Sequence, residues 1–258
     1  MKYIFIILSA LLLLLPSCGS TYFFTSIKSL DYDMAQNDDG DFVSENDSVL
    51  VAYWFNGKDA PVFINVYNKT DQPLYVDWSR SSLIIGDEAM SYQGNIGDVS
   101  DEYSYGDDVS FIPPESRTTF NAMPFGGLSY ENLNKKQFRK RNIPDKDGVL
   151  QSVEITDFDE QNTPLRFRSF LTMHRTPENP FSVEHSFYVS KIIKSGNLTP
   201  DNITDDLFKR GDIFYLEKEN KSKYIAGDIL LGTAIVGLVV VGIVWGGDDD
   251  STVEYEED

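Results

Sequence analysis

The strongest constraint on the fold is a two-residue alternation in the middle of the chain. In PVFINVYN, residues 61–68, Val62, Ile64 and Val66 point one way and Phe63, Asn65 and Tyr67 the other, as in a strand with one buried face. NKTDQ, residues 68–72, is dense in turn formers and leads into LYVDW, where Leu74, Val76 and Trp78 share a face. Two such runs joined in this way predict a β-hairpin. Further strands are expected over 48–55, 82–85, 118–122 and 153–158, then in LRFRSFLTM from Leu165 and FSVEHSFYVSKII from Phe181. Helical patterns are confined to 130–140 and to 200–209, where Asn197 or Thr199 could cap the start. Many short strands and few helices predict a mainly β protein built as an antiparallel sandwich. No repeat is visible. The acidic, Gly- and Ser-containing stretch 94–108 reads as a long mobile loop.

A chain of 258 residues with 17 Phe, 14 Tyr and 3 Trp has ample material for one large core, and disordered chains are poor in such residues. The formal net charge is −19. Even without the seven acids after residue 247 the chain remains acidic, which disfavours nucleic acid as a partner because phosphate contacts need concentrated positive charge. One stretch runs against this trend. Lys135, Lys136, Arg139, Lys140 and Arg141 lie within seven residues. They form either a dock for an anionic partner, such as lipid phosphates or another copy's acidic tail, or a solvated loop or helix end.

The residues offer no complete catalytic set. Only His174 and His185 could serve as an imidazole base. His185 shares the alternating face of Phe181, Val183, Phe187 and Val189, which predicts a packed, hydrogen-bonded ring; His174 sits at a strand end. G-x-S-x-G, H-E-x-x-H and C-x-x-C are all missing from the sequence, and no cofactor is expected. IPDKDGVLQSVE (143–154) places Asp145, Asp147 and Glu154 at ligand positions of an EF-hand-like calcium loop, but Ile143 stands where the first carboxylate belongs. Asp145 to Gly148 is more simply a turn. NDDGDF, residues 37–42, is a second acidic turn of the same kind. Carboxylates such as Asp77, Glu115, Asp157 or Glu184 could serve a hydrolase of envelope polymers only if the fold brought two together in a cleft.

Both ends of the sequence are apolar. Lys2 precedes a 13-residue stretch, Tyr3 to Leu15, broken only by Ser9; this is too short to span a bilayer and fits the apolar region of a secretory signal. The following Leu15-Pro16-Ser17-Cys18 resembles a lipobox, the signal at which a lipid is attached to the cysteine and the chain is cut before it. That resemblance assigns a use to the single cysteine, which has no partner for a disulfide. Gly19 in place of Asp, and Ser20-Thr21-Tyr22-Phe23-Phe24 in place of an acidic cluster, imply a periplasm-facing domain.

The segments VFINVYNKTDQPLYVDWSRSSLIIGDEAMSY, FIPPESRTTF, FRSFLTMHRT and FYVSKIIKSG resemble an uncharacterised family of Bacteroidetes lipoproteins, over about residues 50–195. The resemblance implies an immunoglobulin-like β domain and carries over no catalytic residue.

Ile229 to Trp245 is a 17-residue uncharged run, at the short limit for a bilayer-spanning helix; flanking residues extend it over 224–247. Its glycines recur every five residues, a spacing that does not form one stripe on a helix, although Gly242 and Gly246 have the small-xxx-small spacing of packed helices. Lys218, Lys221 and Lys223 before it and only acids after it conflict with the orientation that a lipobox demands.

The expected organisation is therefore a signal over 1–17, an anchor-proximal segment over 18–47 beginning with lipidated Cys18, a β domain over 48–223, a transmembrane helix over 224–247 and an acidic tail over 248–258. The expected role is non-catalytic binding or scaffolding at the envelope membrane, with lipid and an unidentified protein as partners. The rivals are the hydrolase above and an accessory subunit of a membrane complex.

Overall fold

The computed structural model describes residues 19–93, 108–125, 130 and 133–219. The signal, Cys18, the expected transmembrane segment, the acidic tail and residues 94–107 of the long loop all lie outside them. Thr21–Lys218 forms one compact unit. It is mainly β, as expected. Among the described residues no helix is long and apolar enough to cross a membrane, so the C-terminal helix of the expected fold has no counterpart there.

Among the described residues fifteen strands follow one another. The first eight are β1 (Ser20–Ser29), β2 (Ala35–Gln36), β3 (Phe42–Glu45), β4 (Val49–Trp54), β5 (Gly57–Lys58), β6 (Pro61–Asn68), β7 (Leu74–Ile85) and β8 (Glu88–Ser91). The rest are β9 (Val109–Ile112), β10 (Arg117–Pro124), β11 (Arg139–Pro144), β12 (Leu150–Asp157), β13 (Arg166–His174), β14 (Pro180–Ser195) and β15 (Ile213–Glu219). One helical turn, α1 (Asp205–Phe208), precedes β15.

They form two sheets. A five-stranded sheet has the order β10-β6-β4-β3-β2, and a ten-stranded one the order β5-β15-β1-β14-β13-β7-β8 with β9, β11 and β12 as side branches. The branching comes from the length of β14. One edge pairs with β1 over Phe187–Ser195; the other pairs first with β13, over Pro180–Tyr188, and then with β12, over Lys191–Lys194.

The core between the sheets follows from the alternation. Val62, Ile64 and Val66 of β6 are fully buried, as are Val51 and Tyr53 of β4, against Leu74, Val76 and Trp78 of β7 and Leu171 and Met173 of β13. At its centre the Phe187 ring lies 5.2 Å from Phe42, Phe55 and Phe167 and 5.4 Å from Tyr53, edge-on to all but Phe167, the tilted arrangement that aromatic quadrupoles favour. A second, smaller core lies on the other face of the large sheet: Phe24, Val153 and Ile193 are covered by Leu198 and Ile203.

Three expectations are corrected. Residues 18–47 are more than an anchor-proximal segment, because β1, β2 and β3 lie there and Phe23, Phe24 and Ile27 are buried. The runs on either side of NKTDQ do not pair with each other. β6 pairs with β4 and β10 in one sheet, whereas β7 pairs with β9 and β13 in the other. The connection is an arch held by Asn68, whose amide donates to the carbonyls of Gln72 (2.7 Å) and Pro113 (3.1 Å) and whose oxygen accepts from the Thr70 hydroxyl (2.8 Å). Neither expected helix forms at its expected length. Among the described residues of 130–140 a 3-10 turn, Lys135–Gln137, precedes β11, and Tyr130, Leu133 and Phe138 dock separately on the main core. Within 200–209 the helical turn is α1 alone, begun at Thr204; Asn197 and Thr199 instead belong to a preceding turn closed by the Asn202 side chain.

Candidate functional site

The basic stretch is divided by the fold. Lys136 lies in the 3-10 turn, and Arg139, Lys140 and Arg141 lie on β11; the Lys135 side chain is outside the described residues. Arg139 donates to Asp157 at 2.7 Å, and Lys191 of β14 approaches the other oxygen of that carboxylate at 3.8 Å. Asp157 thus neutralises one of the five bases. Lys140 stands across from Glu154, which is itself bonded at 2.6 Å to Lys194. Lys136, Lys140 and Arg141 are exposed.

Beside Arg139 is a shallow open pocket of about 250 Å³, lined by Gln137, Arg139, Thr156, Asp157, Phe158 and Asn162. Its one carboxylate is the ion-paired Asp157, so its walls do not supply the acid and base pair that glycoside cleavage needs. Of the other carboxylates considered for such chemistry, Asp77 and Glu184 are engaged elsewhere and Glu115 lies in a turn. Asp77, on β7, accepts from the Ser79 hydroxyl at 2.5 Å and the Arg80 amide at 3.1 Å. Glu184 pairs with Arg168 at 2.8 Å across β13 and β14. Glu115 occupies a left-handed turn position, with φ of 51°, after Pro114.

Asp145 is a turn residue, as the simpler reading expected. One carboxylate oxygen accepts from the amides of Asp147 (3.0 Å) and Val149 (2.9 Å), the other from the Gln151 side chain (2.9 Å). These bonds, the Gln151 amide first, hold its carboxyl below the ordinary aspartate range. Gly148 takes φ of +77° to close the turn. Glu154 is turned to Lys194, on a different strand, so the three calcium candidates do not converge. The acidic turn at 37–42 is tied similarly: Asn37 accepts from the Asp41 amide at 2.8 Å and donates to its carboxylate at 3.1 Å.

The histidines also take structural positions. His185 is buried and its Nδ1 lies 3.0 Å from the Tyr53 hydroxyl; burial lowers its pKa against the opposing pull of Asp31 and Asp33. His174 ends β13, its ring stacked on Tyr75 at 5.1 Å.

Sequence reasoning overlooked one surface. Exposed large apolar side chains among the described residues are few: Tyr32, Phe111, Val149 and Leu150. The last two are neighbours at the tip of the β11–β12 hairpin. The signal was present as two adjacent apolar residues, Val149 and Leu150, directly after a D-x-x-G turn.

Compared with known proteins, the chain matches no family model, no curated protein and no solved structure.

Proposed function

We propose that this chain is a lipid-anchored protein of a bacterial cell envelope, held through Cys18, whose immunoglobulin-like β domain has a non-catalytic binding or scaffolding role at the membrane and faces the periplasm. The supporting observation is where the fold begins. β1 starts at Ser20, two residues after the cysteine of the lipobox-like Leu15-Pro16-Ser17-Cys18. Cleavage before Cys18 would leave every described strand intact, and the lipid would join the domain almost without a linker. The apolar segment 224–247 is read as a second membrane contact, and the likeness to Bacteroidetes lipoproteins agrees with this setting. For chemistry, Asp77, Asp157 and Glu184 are held in hydrogen bonds and ion pairs, and both histidines are packed against tyrosines.

The test is made in the native host. Wild-type protein should fractionate with membranes and enter the detergent phase, and globomycin or Cys18→Ala should make the uncleaved precursor accumulate. Unchanged processing and fractionation in the variant would refute the anchor.

A further inference from the structure

The two ends of the described domain leave it at the same place. β14 is antiparallel to both β1 and β12, with Phe23 and Glu154 each opposite Lys194. Going up both partner strands toward lower residue numbers therefore leads to one end of the large sheet. β15 runs back to that end as well. Its contacts with β1 descend as β1 ascends, from the Tyr22 hydroxyl on Glu217 (3.1 Å) to the Ile27 amide on the Asp212 carbonyl (2.8 Å). The start of β1 and the finish of β15 are thus side by side.

The β11–β12 hairpin points the same way. Measured from the Lys194 row, Ser20 lies three residues out and Leu150 four, about 10 and 13 Å at the usual strand rise. Cys18 adds at most about 7 Å of chain to Ser20. Ser20, to which a lipid on Cys18 would be tethered, and Leu150 thus lie at similar heights along the large sheet.

What the hairpin presents there is apolar and rigidly held. Val149 is 56% exposed and Leu150 65%. The Val149 amide bonds to Asp145 Oδ1 and its carbonyl accepts the Asp145 amide at 2.9 Å, so the tip cannot fold its side chains inward without breaking the turn. Exposed Lys146 and Asp147 occupy the tip beside them. Arg141 pairs with Val153, three residues back from Leu150, about 10 Å by strand rise. That is the depth of headgroup phosphates when an apolar tip touches the acyl boundary, and Lys140 lies next to it.

We infer that the β11–β12 hairpin tip, Val149 and Leu150 with Arg141 and Lys140 behind them, is a bilayer-contacting element that sets the domain upright on the membrane holding its lipid. The inference rests on the anchor reading above. It gives part of the basic stretch an occupant, lipid headgroups, and explains an apolar pair that the fold leaves uncovered.

The test uses the full-length lipidated chain in vesicles of phosphatidylethanolamine and phosphatidylglycerol. Lipidation consumes the Cys18 thiol, so Leu150→Cys supplies a single site for an environment-sensitive fluorophore. Tyr32→Cys, fully exposed beyond the other end of β1, is the control. The label at 150 should be quenched by nitroxide-bearing lipid and shielded several-fold from aqueous iodide relative to the label at 32. Equal iodide access at both sites, in protein that floats with the vesicles, would overturn the inference while leaving the anchor standing. Protein that fails to float would remove the anchor and this inference together.

Discussion

Asp145 and His185 are both titratable, and each stabilises the fold in a pH-dependent way. The folded pKa of Asp145 is depressed, so its contribution is complete above the ordinary aspartate value of about 3.9 and is lost as pH falls through the lower folded value. Asp145→Ala should therefore lower the melting temperature at pH 7, with the gap to wild type closing below about pH 4; a gap that stays constant through that range would contradict this. For His185 burial favours the neutral ring, which accepts the Tyr53 hydroxyl at Nδ1. The unfolded chain takes up a proton near pH 6.5 that the folded chain refuses, so this stabilisation is present above about pH 7 and declines as pH falls through 6.5. Chemical denaturation of wild type and His185→Phe at pH 7.5 and 5.5 should show a smaller loss in the variant. Tyr53→Phe leaves the imidazole without its donor and should cost about 1–3 kcal/mol at neutral pH.

Among the elements, the arch after β6 offers the sharpest test. Asn68 is fully buried and binds the chain at both ends of the crossing. Asn68→Ala strands those carbonyls, and a loss of about 3 kcal/mol is expected in urea denaturation; Asn68→Asp, which cannot donate, should be no better. The same arch shows where sequence reading stopped. Strands with one buried face were legible: β4, β6, β10 and β13 fall within a few residues of their expected places because alternation follows directly from burial on one side. The partner of β6 was not legible, since turn formers between two alternating runs serve a hairpin or a crossing between sheets equally well. β1 escaped for the opposite reason. Phe23 packs in the main core and Phe24 in the small one, so burial on both faces erases the two-residue signature. At the candidate sites, the packed role of His185 and the turn role of Asp145 were readable from neighbours in sequence. The pairing of Arg139 with Asp157 across β11 and β12 depended on strand register and was not.

In the proposed arrangement, one end of the two-sheet domain is its membrane end. β1 is the element that makes this demanding: it begins at Ser20 and is paired along β14, so the proposed lipid on Cys18 would hold the domain closely to the bilayer. The flanking ion pairs add little to that arrangement, because exposed pairs such as Lys58 with Glu217 contribute about 0–1 kcal/mol. The central claim is the lipid on Cys18, and mass spectrometry of the N-terminal tryptic peptide from membrane-purified protein tests it most directly. The expected peptide runs from Cys18 to Lys28 and carries a thioether-linked diacylglycerol. A peptide beginning elsewhere, or an unmodified Cys18 thiol, would contradict it.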